Sequence, residues 1–319
     1  MSVTNSFGSL ITKSLFDWIK DKKMLTYLAI TCIILVIMNI FTLFSMSNSL
    51  EKLIALQNSV TPSVEEVFSV IGMFLGPFML TITISSIILF ILSYFIIKRS
   101  LELNGLKAVN FSVQRIIMLF ILEIASCIVA VLSIFRLKWL AVGVAGAVLL
   151  IIGIVLTILS PLIGILLLII GLILCVVYAV IVIINTIRLS LGGTAYIEEE
   201  RGIMDSLKIS WDLTKANVLG IVIIFVVVSI IIGIISWIVA LPATFFQFSL
   251  MGNFTSTTNP ALLIDNITGM FINPVYLVLL IPGWIISAYQ VIVTSYLMTS
   301  IYALLKKEGN TKEPETYKF

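Results

Sequence analysis

Long, uninterrupted runs of apolar residues dominate the chain. Seven runs follow one another, at about 25–46, 67–97, 116–135, 140–159, 161–187, 218–245 and 275–305. A bilayer core about 30 Å thick needs roughly 20 apolar residues as a helix. The runs are rich in Ile, Leu and Val without regular turn residues, so helices fit better than the alternating strands of a membrane barrel. The pattern predicts an all-α, polytopic integral membrane helical bundle.

The tract from Leu140 to Ile187 is too long for one span. Only Ser160-Pro161 interrupts it, and as one straight helix it would measure about 70 Å, more than twice a bilayer core. We therefore expect a helical hairpin or a sharply bent helix that turns at Ser160-Pro161. In the second run, Pro77 predicts a kink and the Gly72/Gly76 pair predicts close helix packing.

Composition supports a membrane protein and narrows the chemistry. Hydrophobic residues make up 60% of the chain and charged residues only 11%, with a mean hydropathy of +1.21, whereas soluble domains keep about a quarter of their residues charged. The chain has no histidine, and we find no zinc pattern, P-loop, nucleophile–base pair or nucleic-acid-binding surface. We predict a non-enzymatic protein with no catalytic residue, metal or cofactor.

Positive charge beside the spans predicts the topology. Sixteen of the nineteen Lys and Arg residues fall in four clusters, within 1–24, 98–115, 188–217 and 305–319. If all four clusters are cytoplasmic, an even number of crossings separates any two of them. We therefore expect a cell-membrane protein with both termini cytoplasmic.

Seven apolar runs conflict with an even number of crossings. Seven full crossings would leave only eight of the nineteen positive charges inside. The charges therefore predict six crossings plus one re-entrant segment somewhere in 116–187. Hydrophobicity favours 140–159 as that segment and charge favours 116–135, so both stay open.

The chain is expected to form a single transmembrane domain over 1–319 with three polar accessory segments. Residues 1–24 are predicted to be an interfacial amphipathic leader in which Trp18 anchors a helix at the membrane surface. Residues 188–217 are predicted to be a cytoplasmic interfacial connector, and residues 306–319 a cytoplasmic tail.

The connector carries an amphipathic pattern. Ile203, Met204, Leu207 and Trp211 share one helical face, with lysines off that face. We predict a lipid- or partner-binding surface formed by Ile203, Leu207, Lys208, Trp211 and Lys215.

About 30 residues of the connector resemble a prokaryotic family of six-span proteins. The family includes the membrane domain attached to some glycerophosphodiester phosphodiesterases and related domains of unknown function. The matching residues are Arg188, Glu199 or Glu200, Gly202, Ser206, Leu207, Lys208, Ser210, Trp211, Leu213, Thr214 and Lys215. Ala216 departs from the usual glycine. The resemblance implies six spans but no phosphodiesterase activity, because that chemistry belongs to a separate soluble domain that uses histidines.

Few side chains suggest a transport or binding chemistry. Glu123 is the one ionisable carboxylate well inside an apolar run, where acids often mark ion or proton pathways; the alternative is a structural partnership with Arg115, about two turns away. Tyr289 and Gln290 are a candidate polar groove. The Glu198–Glu200 run fits a solvated helix start better than a cation site.

Two functions follow from these features. The first is a non-enzymatic membrane protein that organises lipids, or a protein partner or second copy, through the connector helix. The alternative is a small-solute or proton-coupled transporter that uses Glu123 and the broken helices at Pro77 and Pro161. No nucleic-acid partner is expected.

Overall fold

A computed structural model describes residues 6–57, 64–133, 137–199, 201–251 and 268–311. The named helices are α1 (Phe7–Phe16), α2 (Lys22–Gln57), α3 (Val64–Leu103), α4 (Val113–Leu132), α5 (Lys138–Leu159), α6 (Pro161–Leu189), α7 (Gly192–Glu198), α8 (Ile203–Thr214), α9 (Val218–Met251) and α10 (Pro274–Thr311), with a 3-10 helix at Asp17–Lys20. No strand occurs in these residues. Seven helices, α2 to α6 with α9 and α10, are long and apolar enough to cross a membrane. The predicted all-α, polytopic membrane bundle is confirmed.

The chain divides into two compact units. The first comprises Met1–Lys13, Ile97–Phe225 and Leu297–Phe319, and the second comprises Ser14–Ile96 and Val226–Tyr296. The predicted leader, 98–115 segment, connector and tail thus all contribute residues to the first unit. The first five residues and residues 312–319 lie outside the described part of the chain.

Two antiparallel helix pairs form the second unit. In the first pair, the Ser49 hydroxyl of α2 donates to the Met73 carbonyl of α3 at 3.0 Å, and the rings of Tyr27 and Phe95 lie 6.4 Å apart. In the second pair, the rings of Phe246 on α9 and Tyr276 on α10 stack at 6.3 Å.

Helices α5 and α6 form the predicted hairpin. Ser160 lies between them with extended backbone, and Pro161 occupies the first turn of α6, where its missing N–H costs no helical hydrogen bond. Glycines line the seam at five close approaches: Gly143 with Tyr178, Gly146 with Cys175, Leu150 with Gly171, Gly153 with Leu168, and Thr157 with Gly164. Residue numbers rise along α5 as they fall along α6, so the two helices are antiparallel.

A methyl group cannot be accommodated at the tightest of these approaches. A Cβ atom on Gly164 would lie 2.4 Å from the backbone nitrogen of Thr157. Gly164→Ala should therefore lower the free energy of unfolding by about 1–3 kcal/mol, although glycine to alanine in a helix ordinarily stabilises by about 0.5–1 kcal/mol. Thermal unfolding in detergent measures the change. Gly233→Ala is the matched control, because nothing lies within 4 Å of a Cβ there; equal shifts for both variants would contradict the close seam.

Helix α4 runs alongside α6 and α7 in the same direction as α5. Its Leu122 packs near Gly192, whereas Ala130, nearer its carboxyl end, receives a hydrogen bond from Asn185 at 3.3 Å. Tyr178, which contacts the first turns of α5 at Gly143, also donates to the Val131 carbonyl at the end of α4. The carboxyl end of α4 and the amino end of α5 thus lie beside the same part of α6, at Tyr178.

This arrangement limits how α4 and α5 can cross a bilayer. The chain between Leu132 and Lys138 reaches at most about 20 Å, too short to return across a core of about 30 Å. Two helices that run in the same direction with so short a link make at most one crossing together. Which run in 116–187 fails to cross, 116–135 or 140–159, stays a prediction.

The side chain of Asn185 on α6 donates hydrogen bonds to groups at the carboxyl end of α4. Ser133 closes that helix in the left-handed region, with φ of 50°. Asn185 donates to the Ser133 hydroxyl at 3.1 Å as well as to the Ala130 carbonyl. Terminal carbonyls need such partners where water is scarce, which explains an asparagine within an apolar helix.

Two local predictions are wrong. No described atom lies within 4 Å of a Cβ built on Gly72 or Gly76, so the close approaches are in the α5–α6 seam instead. Trp18 is 1% exposed and its ring lies 5.5 Å from that of Tyr289, so Trp18 packs inside the second unit and does not face the membrane surface.

Candidate functional site

The four basic segments meet within the first unit. The Lys13 ammonium of the leader donates to the Asn104 side-chain oxygen at 2.7 Å, and the Ser300 hydroxyl of α10 donates to the same oxygen at 3.4 Å. The Val109 N–H donates to the Ile197 carbonyl of the connector at 2.9 Å. Direct hydrogen bonds therefore join segments that are distant in sequence.

A buried charge cluster ties the connector to the last helix. Glu198 is 8% exposed and accepts hydrogen bonds from the Tyr302 hydroxyl at 2.6 Å and the Lys306 ammonium at 2.7 Å. The same ammonium donates to Glu199 at 2.6 Å, which also pairs with Arg201. Glu198, predicted with its neighbours to form a solvated helix start, is thus a buried structural group, whereas Glu199 is partly exposed and Glu200 lies outside the described residues.

The charge of Glu199 is stabilised by its partners. The hydrogen bond from Lys306, opposed by burial and assisted by Arg201, holds the pKa of the Glu199 carboxyl below its usual value. A carboxyl whose pKa is depressed on folding contributes stability above its unfolded pKa, and this contribution is lost as pH falls through the folded pKa.

The Glu199 contribution predicts a pH-dependent difference between two proteins. At neutral pH, wild type should melt a few degrees above Glu199→Gln, because the variant lacks the charge that Lys306 and Arg201 hold. The difference should shrink as pH falls through the lowered pKa of the wild-type carboxyl, where it becomes protonated. Melting curves of both proteins in detergent across pH 3 to 7 check this; a constant difference would contradict it.

A second network joins the connector helix α8 to the end of α6. Arg188 is 4% exposed, and its guanidinium lies 3.6 Å from the centre of the Trp211 ring. The Ser210 and Thr214 hydroxyls donate to the Arg188 carbonyl at 2.6 and 3.2 Å, and Ser210 accepts from the Leu191 N–H. The residues that carry the family resemblance therefore cap α6 and hold α8 against it.

The apolar face of α8 is turned inward. Leu207 is fully buried with Leu122, Val129, Ala130 and Leu189, and Ile203 and Trp211 pack against this cluster. Lys208 and Lys215 are exposed. Of the predicted lipid- or partner-binding surface, the two lysines are exposed, Ile203 and Trp211 are half-buried, and Leu207 is buried.

Glu123 lies on the exposed side of α4. A Cβ on Gly193 would be 3.1 Å from its carboxylate oxygen, so the carboxylate rests against α7. Arg115, its predicted partner, donates to the Asn110 carbonyl at 2.8 Å, and within the described residues Glu123 has no hydrogen bond or ion pair.

Tyr289 and Gln290 occupy different environments on α10. The Tyr289 hydroxyl donates to the Leu15 carbonyl at 2.7 Å, and its ring lines an apolar cavity of about 150 Å³ with Leu15 and Phe16. Gln290 is exposed and does not line that cavity.

A polar cavity of about 370 Å³ opens in the first unit. Its polar lining consists of Ser112, Gln114, Arg115, Tyr196, Glu199 and Arg201, and its apolar lining of Val109 and Met118. No local sequence pattern predicts this cavity, because its walls come from the loop before α4, the start of α4 and the connector.

In the described part of the chain, no group of three His, Cys, Asp or Glu residues is placed to hold a metal ion. Comparisons with protein-family models, with curated proteins and with solved structures find no match to this chain.

Proposed function

We propose that this chain is a non-enzymatic, multi-pass protein of the cell membrane that organises anionic lipids at its cytoplasmic end. The observation that supports this most is that residues from all four basic segments belong to one compact unit, with Lys13 as the leader's lysine in it, whereas Lys20, Lys22 and Lys23 belong to the second unit. Lysine and arginine beside spans mark the cytoplasmic side. If the part of this unit that carries the basic segments is cytoplasmic, both termini are cytoplasmic too.

Helix directions agree with that topology. Helices α2 and α3 form one out-and-back pair, α4 and α5 in series form another with α6, and α9 and α10 form a third. Three such pairs give six crossings and return the chain to its starting side. The family suggested by the connector also has six spans, and membership in it remains a prediction.

Exposed lysines at this end suit anionic headgroups. Lys107, Lys208, Lys215 and Lys307 are all exposed and belong to the first unit. Each basic residue near an anionic membrane surface contributes about 1 kcal/mol of attraction. Several together produce a lipid preference that salt should weaken.

Lipid enrichment in nanodiscs tests the proposal. We expect phosphatidylglycerol to be enriched over phosphatidylcholine around wild type, and this enrichment to fall several-fold in a Lys208→Gln/Lys215→Gln variant and at high salt. Mass spectrometry of co-isolated lipid measures it. Asp212→Asn, on the same helix with the opposite change of charge, is the control and should not reduce enrichment. Equal amounts of both lipids around wild type would rule the proposal out.

A second candidate, proton-coupled transport, rests on the position of Glu123. Its carboxylate sits on the exposed side of an apolar helix, a costly location that often has a functional reason. If the protein organises lipids and does not transport protons, Glu123→Gln should leave lipid enrichment unchanged, and wild-type proteoliposomes should show no proton-linked flux. A flux that disappears in Glu123→Gln would favour transport.

A further inference from the structure

The 370 Å³ cavity is the largest unexplained feature of the first unit. Its volume lies in the range of about 300–1,000 Å³ typical of small-ligand sites. Three parts of the chain line it, so it is a built concavity rather than a gap beside one helix. Of its lining residues, Val109 and Glu199 also take part in the contacts that join the basic segments.

The polar wall of the cavity suits a phosphate ester. Arg115 and Arg201 present planar guanidinium groups, which recognise phosphate oxygens with paired hydrogen bonds. Ser112, Gln114 and Tyr196 add neutral hydroxyl and amide donors. The carboxylate in the wall, Glu199, accepts from Lys306 and pairs with Arg201, so a bound phosphate shares Arg201 with this carboxylate and Arg115 supplies the additional positive charge.

An apolar stripe leads away from the cavity along α4. Met118 lies in the cavity wall, and Ile117, Ile121, Ile124 and Ile128 are 55%, 42%, 46% and 50% exposed. Spacings of four, three and four residues place these isoleucines on one face of the helix. A ligand with a polar head and long apolar chains matches a polar cavity that continues into such a stripe.

We propose that the cavity binds the phosphodiester headgroup of a phospholipid, with the acyl chains along the isoleucine stripe of α4. This inference rests on the proposed function, because it names the specific site within an end that attracts anionic lipids. The phosphate lies between Arg115 and Arg201, and the ester oxygens face Ser112 and Gln114.

Binding of defined short-chain probes tests the site. Native mass spectrometry of the full chain in detergent compares dioctanoyl phosphatidylglycerol, glycerol phosphate without chains, and dioctanoyl glycerol without phosphate. Wild type should bind the first probe most tightly. Arg201→Gln and Arg115→Gln should each weaken it by about tenfold, the usual loss for a charge-assisted hydrogen bond. The control Lys138→Gln, an exposed lysine at the start of α5 outside the four basic segments, should change it less than about twofold.

Two further variants separate binding from folding and headgroup from chain. Arg115→Lys keeps the charge and should restore part of the affinity, so a loss in Arg115→Gln with an unchanged melting temperature reports binding. Ile121→Asn should weaken dioctanoyl phosphatidylglycerol without affecting glycerol phosphate.

Each contrary outcome has a distinct meaning. Glycerol phosphate binding as tightly as the lipid would overturn the lipid assignment in favour of a soluble phosphate. Equal losses for Lys138→Gln and the arginine variants would overturn the site and leave a diffuse basic surface, so the proposed function would survive. If wild type shows no preference for phosphatidylglycerol in nanodiscs, both the proposed function and this inference are contradicted.

Discussion

Replacing Glu198 with alanine should lower the free energy of unfolding by about 3 kcal/mol. Glu198 is 8% exposed and accepts hydrogen bonds from both Tyr302 and Lys306. Removing the carboxylate leaves a buried hydroxyl without its acceptor and a partly buried ammonium with only Glu199. Denaturant unfolding in detergent micelles, followed by tryptophan fluorescence, measures the loss.

Matched variants identify the cause. Tyr302→Phe removes one hydrogen bond and keeps the ring, so it should cost about 1 kcal/mol. Glu102→Ala is a control, because Glu102 forms a short-range pair with Arg99 on an exposed surface, and such pairs contribute about 0–1 kcal/mol. If Glu198→Ala and Glu102→Ala prove equally mild, the charge cluster does not hold the connector to α10.

Replacing Arg188 with methionine should cost about 2–4 kcal/mol, because a buried cation–π contact is worth about 2 kcal/mol and a charged hydrogen bond about 1.5–3 kcal/mol. The guanidinium stacks on Trp211 and donates to the Trp211 carbonyl at 3.2 Å. The same unfolding assay applies, and proteolysis of the connector should accelerate as α8 separates from α6.

The comparison with lysine tests the geometry of this stack. Arg188→Lys keeps the charge but loses the planar group, so it should recover only part of the lost stability. Lys208→Met, an exposed change on α8, should have an effect within about 0.5 kcal/mol. Full recovery by lysine would mean that charge alone, without stacking, determines the stability.

Run length predicted the long apolar helices well, whereas the topology inferred from charge stays a prediction. The seven apolar runs match α2 to α6, α9 and α10 to within a few residues at most ends, since lipid tolerates few polar residues. Ser160-Pro161 marked the hairpin turn because proline cannot continue a helix from the preceding turn.

The site was less predictable because its residues converge from distant positions. Lys13 meets Asn104, and Glu198 meets Lys306, contacts that no local pattern encodes. The connector motif pointed to the right segment. Its periodicity predicted an apolar face that contacts lipid or a partner, whereas Leu207 on that face is buried within the protein. Asn185 could have been identified from the sequence. A single amide side chain within an apolar helix indicates a neighbouring helix end whose carbonyls need a hydrogen-bond donor.

Cysteine accessibility tests most directly the central claim that the basic segments of the first unit lie on the cytoplasmic side of the membrane. In a variant without Cys32, Cys127 and Cys175, single cysteines replace Ser160 at the hairpin turn and Gly202 in the connector. An impermeant maleimide added to intact cells should label Ser160→Cys, and should label Gly202→Cys only after permeabilisation. Labelling of Gly202→Cys in intact cells, or of both sites from one side, would contradict the account.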